Sequence, residues 1–594
     1  VAAEAVPVLA GEFDQATEQQ WRAAVDKVLK GAPLERLVSR TADGILVQPL
    51  YTDGPDESAT GTPGAAPFTR GFRPQARPGG RWDVRAVVAV ADPHEANRLA
   101  LRELARGASS LLIGGGCLSE RSALCDALEG VVLDAAGVTL QAGAAFVDAA
   151  QWLMQLWLDR GVTDQAAMGG FGADPFAALA ITGELPQGVD RALADMAGLA
   201  SMSASRFPGV RAVTLDVTPY AEAGASDAQM LAVMLSTAVA YLRAMQRAGM
   251  AAEDAAGQFE LVLGADAEVF GTVARLRAAR RVWSTMAEAC GIDTGLAAPT
   301  ITVRTLDRQM SRRDPWVNLL RVTAAAFAGV VGGADAVITL PFDAELGEPG
   351  ELGRRLARNT QLLLGEESGT GRVVDPAGGS WYVETLTEQM AAAAWDLFRE
   401  LEAAGGMPQV LCDGSLAARI AVVRDAALVD VAKRRRPLTG VSEFPDVAEE
   451  VPPTPPRSVG RPVELPESER ALRCDPLPRV RWAQEFEDLR DAADAFAARS
   501  GHGRPAVFLA NLGPVAVHTA RATFAKNLFE AGGLSAVTSE EGATTGFDDG
   551  PSAAAGFRSS GERLVCICSS DDRYAAMAGE VASALRSAGA TRVY

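Results

Sequence analysis

Between Val84 and Leu340 the chain repeats one pattern eight times, a short apolar run followed by a segment of helical length. The runs are Val84 to Val90, Ser110 to Ile113, Val138 to Ala142, Ala166 to Gly172, Ala212 to Val217, Phe259 to Gly264, Thr300 to Leu306 and Ala336 to Leu340. Segments such as PHEANRLALRELARGA after the first run and DAQMLAVMLSTAVAYLRAMQRAG after the fifth supply the helices. An open, doubly wound sheet gives the same pattern locally. Eight successive units favour closure, so the expected fold is α/β, a (β/α)8 TIM barrel over residues 81–435.

At 594 residues the chain exceeds one core and predicts at least two domains. Before the barrel, an amphipathic helix around Trp21 to Leu29 and a short strand at Gly44 to Pro49 lead into Asp53 to Gly80. That stretch is rich in Gly, Pro, Ala and Thr without periodicity, and residues 1–80 read as a helix and an extended arm. Two long helices, Leu386 to Ala404 and Leu416 to Lys433, follow the last strand. Residues 436–480 carry dense prolines, as in VPPTPPRSVGRPVELP, and read as a linker from which no core is built. The remainder, 481–594, alternates helix and strand again and predicts a small flavodoxin-like domain. Its helices are expected at Trp482 to Arg499, in ATFAKNLFEAGG and in RYAAMAGEVASALRSAGA, its strands in RPAVFLANLG and RLVCICSSD. The chain stops within a further strand at Tyr594, which predicts that residues follow it.

A formal net charge of −19 argues against binding to nucleic-acid phosphates or an anionic membrane surface. Seven cysteines show neither metal-ligand nor disulfide-framework spacing, and Cys566 and Cys568, two apart on a strand, read as small core residues. No signal peptide opens the chain and no apolar run approaches the ~20 residues of a membrane span, so a cytoplasmic protein is expected. The GGGC run at Gly114 to Cys117 lacks the spacing of a dinucleotide fingerprint and reads as a loop needing positive φ. Acidic clusters do not repeat at metal-ligand spacing.

From Pro341 to Met390 the chain reads PFDAELGEPGELGRRLARNTQLLLGEESGTGRVVDPAGGSWYVETLTEQM, with a helix pattern from about Leu352 to Leu364. Within it RNTQ (Arg358 to Gln361), EES (Glu366 to Ser368) and VVDPAGGSWYVE (Val373 to Glu384) resemble the end of the barrel domain of the methylmalonyl-CoA mutases, the adenosylcobalamin-dependent acyl-CoA mutases. The resemblance covers nearly the whole chain. WRAAVDKVLKG and DGILVQPLYT resemble the small-subunit branch in particular, in which such an N-terminal segment reaches across to the partner subunit. Arg358, Asp375, Pro376 and Glu384, which persist, are expected to close the last turn of the barrel or to cap helices.

The resemblance also says what the chemistry needs. In the catalytic mutases an Asp-x-His-x-x-Gly loop after the first strand of the small domain ligates cobalt, its Asp orienting the imidazole. Here the stretch is NLGPVAVHTARA: His518 stands at the ligand position, Ala516 replaces the Asp and Arg521 the Gly. His518 therefore reads as a vestigial ligand position at a loop end near a helix start, and Ser569 to Asp571 of the CSSDD turn as a helix cap. In the barrel, the family's Tyr-His pair before a Gln-Glu-Ala-Gly-Ala run becomes Thr218 and Pro219, although Glu222 to Ala225 match. A proline neither donates a hydrogen bond nor shuttles a proton. Leu306 in RTLDRQMS replaces a histidine, and FTRGFRPQARPGGRWDV lacks the substrate-facing tyrosines. Three histidines exist, His94, His502 and His518, and His94 reads as a solvated first-turn residue. The arginines of RLRAARRVW, Arg275 to Trp283, read as surface salt-bridge formers.

These substitutions imply no catalytic, cofactor-binding or metal-binding residues beyond the vestigial His518. The expected role is the non-catalytic small subunit of a heterodimeric mutase interconverting (R)-methylmalonyl-CoA and succinyl-CoA, stabilising a large catalytic subunit that holds adenosylcobalamin. Two rivals stay open at this point, an autonomous acyl-CoA mutase using His518 as cobalt ligand and a docking platform for a cobalamin-loading chaperone.

Overall fold

The structure, a computed structural model, describes residues 16–55, 60–458, 468–501, 503–538 and 546–594, so His502 lies outside the described residues. Eight parallel strands close into a barrel: β1 (Asp83–Val88), β2 (Ser110–Gly114), β3 (Gly137–Gln141), β4 (Met168–Ala173), β5 (Gly209–Asp216), β6 (Phe259–Ala265), β7 (Thr300–Thr305) and β8 (Ala336–Ile338). Neighbours in the barrel are neighbours in sequence, and β8 pairs with β1 through Ala336–Asp83 and Val337–Val84. The eight apolar runs are these strands, shifted by up to three residues at their ends. β4 carries a register shift between Gly170 and Ala173, and Gly169, at φ 128°, packs so tightly on β3 that a Cβ would overlap the Val138 carbonyl.

The helices are apolar toward the barrel. Asp227–Arg247 buries fifteen of its residues, and packs on Val269–Ala289 and on Trp381–Ala403. By length and composition this one helix could cross a membrane, with a mean hydropathy of 1.3 over its most apolar window, yet 78% of that window is buried in the fold. The expectation that no segment approaches a span missed it because scattered polar residues break the continuous apolar run. The two helices expected after the barrel are Trp381–Ala403 and Ser415–Ala432.

The second sheet is β10-β9-β11-β12, all parallel, built from β9 (Ala506–Asn511), β10 (Ser535–Val537), β11 (Leu564–Cys568) and β12 (Arg592–Val593). Helix Val515–Ala531 covers one face, while Gly550–Ser560 and Asp571–Ser587 pack on the other, the flavodoxin-like arrangement. Cys566 and Cys568 share the first face, their sulfurs 3.9 Å apart. Within the proline-rich segment, Leu472–Arg473 pairs antiparallel with Glu184–Leu185, and further on Trp482 is 4% exposed. The described residues of the segment thus reach back to the barrel at this point.

The N-terminal arm forms helix Glu18–Leu29, closed by a Thr17–Gln20 capping box, and a hairpin pairing Ser39–Arg40 with Leu46–Val47. Asp43 in the hairpin turn accepts the Ala228 N–H (3.1 Å) at the start of helix Asp227–Arg247. Burial, with Asp227 beside it, raises its carboxyl to about 6. A raised carboxyl favours the docked hairpin most below its free value of 3.8, and the contribution is lost as pH climbs through about 6. Amide protection over residues 39–47, corrected for intrinsic exchange, should fall between about pH 4 and about pH 7 in the native chain and stay level in Asp43→Asn. An equal fall in both would show that another group sets the docking.

Candidate functional site

In a (β/α)8 barrel the reactive groups sit at the C-terminal ends of the strands. Here the loops after β5, β6 and β7 are laced together at that end. Thr218 and Pro219, at the end of β5, open a buried helical turn, Thr218–Glu222. Glu222 accepts the N–H groups of Asp307 and Arg308, both at 2.7 Å, and so caps the turn after β7. Arg308 returns the link, donating to the carbonyls of Ala221 (3.0 Å) and Ala225 (2.9 Å) and to Asp266 after β6 (2.9 Å). Leu306 is fully buried, and its side chain fills the space over Gly264. The matching run Glu222 to Ala225 is therefore structural, a bridge between the loops after β5, β6 and β7.

The end of the proline-rich segment lies across this mouth. Val480 donates its N–H to Glu222 O and Trp482 to Arg308 O, each at 2.9 Å. Arg479 reaches Asp307 (3.0 Å) and Glu345 (2.5 Å), and the guanidinium groups of Arg436 and Arg308 stack on the Trp482 ring. Glu487, with no exposed surface, accepts from the Arg312 N–H (2.6 Å) and Nε (2.9 Å) and from both terminal nitrogens of Arg481 (2.9 and 2.6 Å). These donors hold its carboxyl below the usual range, the two arginines outweighing desolvation.

Within the barrel a cavity of about 80 Å³ is lined by Arg85, Thr139, Asp174, Asp216, Glu260 and Arg304 among others. Its charges are paired from within. Arg85 meets Glu260 at 2.5 Å and Thr302 donates to the same carboxylate. Asp174 accepts from Tyr241 Oη (2.6 Å), Asp216 N (2.7 Å) and Ala177 N (3.0 Å), while burial pushes it up to about 7. That volume holds a few waters, and the chamber shares Arg85, Leu112, Gln141 and Arg304 with a neighbouring cavity of about 210 Å³ at the ends of β1 and β8.

The motif of the last turn is equally structural. Arg277 is fully buried between Asp375 and Glu384 (2.5 Å to the latter), and Arg70 of the arm joins Asp375 at 2.9 Å. Arg358 pairs with Glu103, and Gln361 accepts from Trp82 Nε1 at 3.0 Å. The expectation of surface arginines in RLRAARRVW is corrected: Arg275, Arg277 and Arg280 are at most 2% exposed. Helix periodicity missed them because their acceptors, carboxylates for Arg275 and Arg277 and backbone carbonyls for Arg280, lie in other segments. His94 is exposed in the first turn of Pro93–Ala105. Gly115 takes the positive φ expected of the GGGC run (60°). Ser570 stands at the N-cap of Asp571–Ser587 but makes no side-chain cap bond, while Ser569 donates to Leu512 O (3.0 Å).

In the small domain, His518 sits inside the first turns of helix Val515–Ala531, 7% exposed, with Nδ1 2.9 Å from Gly513 O. A backbone carbonyl thus orients the imidazole where the family pattern has a carboxylate. Arg521, one turn on, reaches across the crevice to Asp571 (3.0 Å) and over the Tyr574 ring, and Arg573 lies against Gly513. Phe547 packs inside the core against Phe508 and over Gly556. These side chains do not fit a corrin carried on His518, because the crevice it would enter is crossed by guanidinium groups.

At the opposite end of the barrel, where β1, β5, β7 and β8 begin, lies a cleft of about 330 Å³. Arg70, Arg73, Arg77, Arg81, Arg211 and Arg280 line it, against Asp335 and Asp375. Among the described residues Arg280 donates to the carbonyls of Thr69 and Gly332, and burial lowers it to about 10. Arg211 is lowered by burial too, and its Nε has no partner.

A closed (β/α)8 barrel followed by a flavodoxin-like domain, with the VVDPAGGSWYVE clamp at the last turn, defines a protein of the cobalamin-mutase class. The methylmalonyl-CoA mutase profile matches residues 40–122 and 115–523. A methylmalonyl-CoA mutase small subunit of Streptomyces virginiae is 45% identical over 595 residues, covering 99% of this chain and 93% of that protein. The corresponding small subunit of Propionibacterium freudenreichii subsp. shermanii is 34% identical over 99% of this chain and 90% of its own length. A methylmalonyl-CoA mutase of Cereibacter sphaeroides is 27% identical over 84% and 73%. The chain belongs to the methylmalonyl-CoA mutase family.

Replacing Glu487 by Gln leaves Arg312 and Arg481 facing a neutral group, a loss of about 3 kcal/mol for a buried pair. Glu487→Gln should lower the melting temperature and raise hydrogen exchange across residues 478–484, whereas Asp488→Asn, an exposed neighbour, should do neither. Equal behaviour of the two variants would mean that Glu487 does not hold the strap.

Proposed function

We propose that this chain is the non-catalytic small subunit of a heterodimeric methylmalonyl-CoA mutase, stabilising a large subunit in the cytoplasm. That partner interconverts (R)-methylmalonyl-CoA and succinyl-CoA, and adenosylcobalamin bound there supplies the radical chemistry. The observation that carries the reading is the lost chemistry at the barrel's C-terminal end, with Pro219 and Leu306 in place of acid–base groups and the chain's own Arg479 to Trp482 lying across the loops after β5 and β7. Residues 1–80 serve as the arm that meets the partner, 81–435 as the barrel, 436–480 as the strap and 481–594 as the second domain. The names of the relatives from Streptomyces and Propionibacterium support the assignment of subunit.

Purified alone and titrated anaerobically with adenosylcobalamin, the chain should neither retain the cofactor on gel filtration nor turn over. Mixed with the large subunit it should elute as a one-to-one complex with both. Ala516→Asp with Arg521→Gly should leave the isolated chain inactive, since the barrel still lacks its acid–base groups. Turnover by that double variant alone, or a base-off, His-ligated spectrum from the native chain alone, would favour the autonomous mutase.

One observation favours a second reading alongside the first. The arginine cleft presents more guanidinium groups than carboxylates, three of them, Arg77, Arg211 and Arg280, depressed by burial, and an anion would relieve that cost. The silent barrel would then still hold the phosphate end of a CoA thioester. CoA should raise the melting temperature of the isolated chain and pantetheine should not, and Arg73→Ala should weaken CoA by about tenfold, the order of one charge-assisted hydrogen bond. Equal responses to CoA and pantetheine would remove this reading and leave the first intact.

A further inference from the structure

Cys566 and Cys568 belong neither to the barrel nor to the arginine cleft. They stand two apart on β11 and point to the face that helix Val515–Ala531 covers, their sulfurs 3.9 Å apart. Extended backbone fixes that arrangement, because residues i and i+2 of a strand share a face. β11 is an interior strand, paired with β9 through Leu509–Cys566 and Asn511–Cys568 and with β12 on its other side. Two ladders therefore hold the pair in place.

The two thiols differ in access. Cys568 is 1% exposed, whereas Cys566 is half-buried. Beside Cys566 the Tyr594 N–H donates to Val565 O (3.0 Å) and the Ile567 N–H to Tyr594 O (3.1 Å). The Tyr594 ring meets Phe529 of the covering helix at 5.5 Å and is 55% exposed, so this side of the face reaches solvent. Cys568 donates toward Cys566 Sγ (3.9 Å) and Cys566 O (3.8 Å), and Cys566 toward Ile567 O (3.9 Å). Among the described residues no third His, Cys, Asp or Glu completes a metal-binding set with them.

Two thiols this close can be joined directly or through an ion. A disulfide needs sulfurs about 2.0 Å apart and Cα atoms within about 6.8 Å. Two residues of a strand already span about 6.6 Å. Direct joining therefore lies at the long end of the allowed range and draws both side chains out of the packed face. An ion asks for no such approach. With metal–thiolate bonds of about 2.3 Å, the observed 3.9 Å corresponds to an angle of roughly 115° at the ion, that of a three-coordinate centre. Zn²⁺ closes its structural sites with four protein ligands, which this face does not supply. A thiolate pair is instead matched to soft Cu(I), which is satisfied by two or three donors.

We propose that Cys566 and Cys568 form a chelating site for a soft monovalent d¹⁰ cation, Cu(I), on the helix-covered face of the second domain. On binding, two S–H bonds break, two S–Cu bonds form, both protons pass to solvent and no electron is transferred. The remaining position is left to a small exogenous thiol. Cys566 gives the ion its entry and Cys568 ties it to the core, so occupancy fastens β11 from within. The site is independent of the subunit assignment.

The test is anaerobic titration of the full, reduced chain with Cu(I) against a chromophoric Cu(I) chelator, followed by thermal melting. One equivalent should be withheld from the chelator, and the melting temperature should rise. Cys566→Ser and Cys568→Ser should each weaken binding by about a hundredfold, the gain of a second tethered ligand. Cys290→Ser and Cys412→Ser, which remove exposed single thiols, should leave it unchanged. Melting of the metal-free variants reports whether they fold, and if Cys568→Ser does not, Cys566→Ser alone decides. No copper withheld, copper withheld equally by Cys566→Ser, or Zn²⁺ held as firmly against a chelator of matched strength would overturn the proposal.

Discussion

A single buried guanidinium, that of Arg277, ties the three parts of the barrel domain together. It belongs to helix Val269–Ala289, is closed off from solvent, and meets both Asp375 and Glu384. Asp375 also holds Arg70, which brings in the arm, and Glu384 accepts the Gly379 N–H, which fixes the loop before the last long helix. An ion desolvated to this degree is tolerable only with its partners in place, and removing one of them costs about 3–5 kcal/mol. Asp375 itself sits at φ 50°, a conformation that Asp tolerates better than most residues, and a Cβ at Gly378 would strike its carboxylate. The VVDPAGGSWYVE run is thus dictated by one arginine's need for two carboxylates. That need is independent of catalysis, which is why the run can persist where Thr218, Pro219 and Leu306 stand.

The same distinction applies at the mouth. Asp174 and Glu222 both carry carboxyls raised to about 7, a signature that elsewhere marks an acid or base. Here each is surrounded by backbone N–H donors, and the largest cause of each shift is desolvation. The perturbation follows from lacing the mouth with the chain's own residues, and the geometry decides between the two readings.

How much of this was legible in the sequence follows from what one-dimensional patterns carry. Strand periodicity and count reached the barrel, because an apolar run reports burial directly. Pro219 and Leu306 were legible as lost chemistry, since a proline ring and an isobutyl group lack the needed proton whatever surrounds them. The arginines of RLRAARRVW were misread as surface, because Arg277 finds its partners about a hundred residues away and no local pattern records that pairing. The strap was legible as a linker, but where it lies was not, for a related reason. Proline-rich segments have no periodicity, and the adhesion of this one rests on Val480, Trp482 and Arg479 meeting loops that lie far back in the chain. His518 was legible as a position, but the carbonyl of Gly513 as its partner was not, because a backbone acceptor leaves no mark on residue identity.

Composition explains how so many loops can be held by so few residues. Of the 56 basic residues four are lysines, Lys27, Lys30, Lys433 and Lys526, and the rest are arginines. A lysine ammonium is a compact, strongly hydrated charge, whereas the planar guanidinium offers five donors and loses less on burial. Arg308 uses that fork to reach two carbonyls and a carboxylate at once, and Arg481 spans Glu345 of the barrel and Glu487 of the next helix. A lysine at either place could keep the charge but not span the set. Lacing of the mouth, docking of the second domain and clamping of the arm are therefore one solution applied three times, a forked cation buried among acceptors from different segments. The chain is acidic overall because its carboxylates outnumber its basic residues, while the arginines that make these links, Arg277 and Arg308 foremost, are buried.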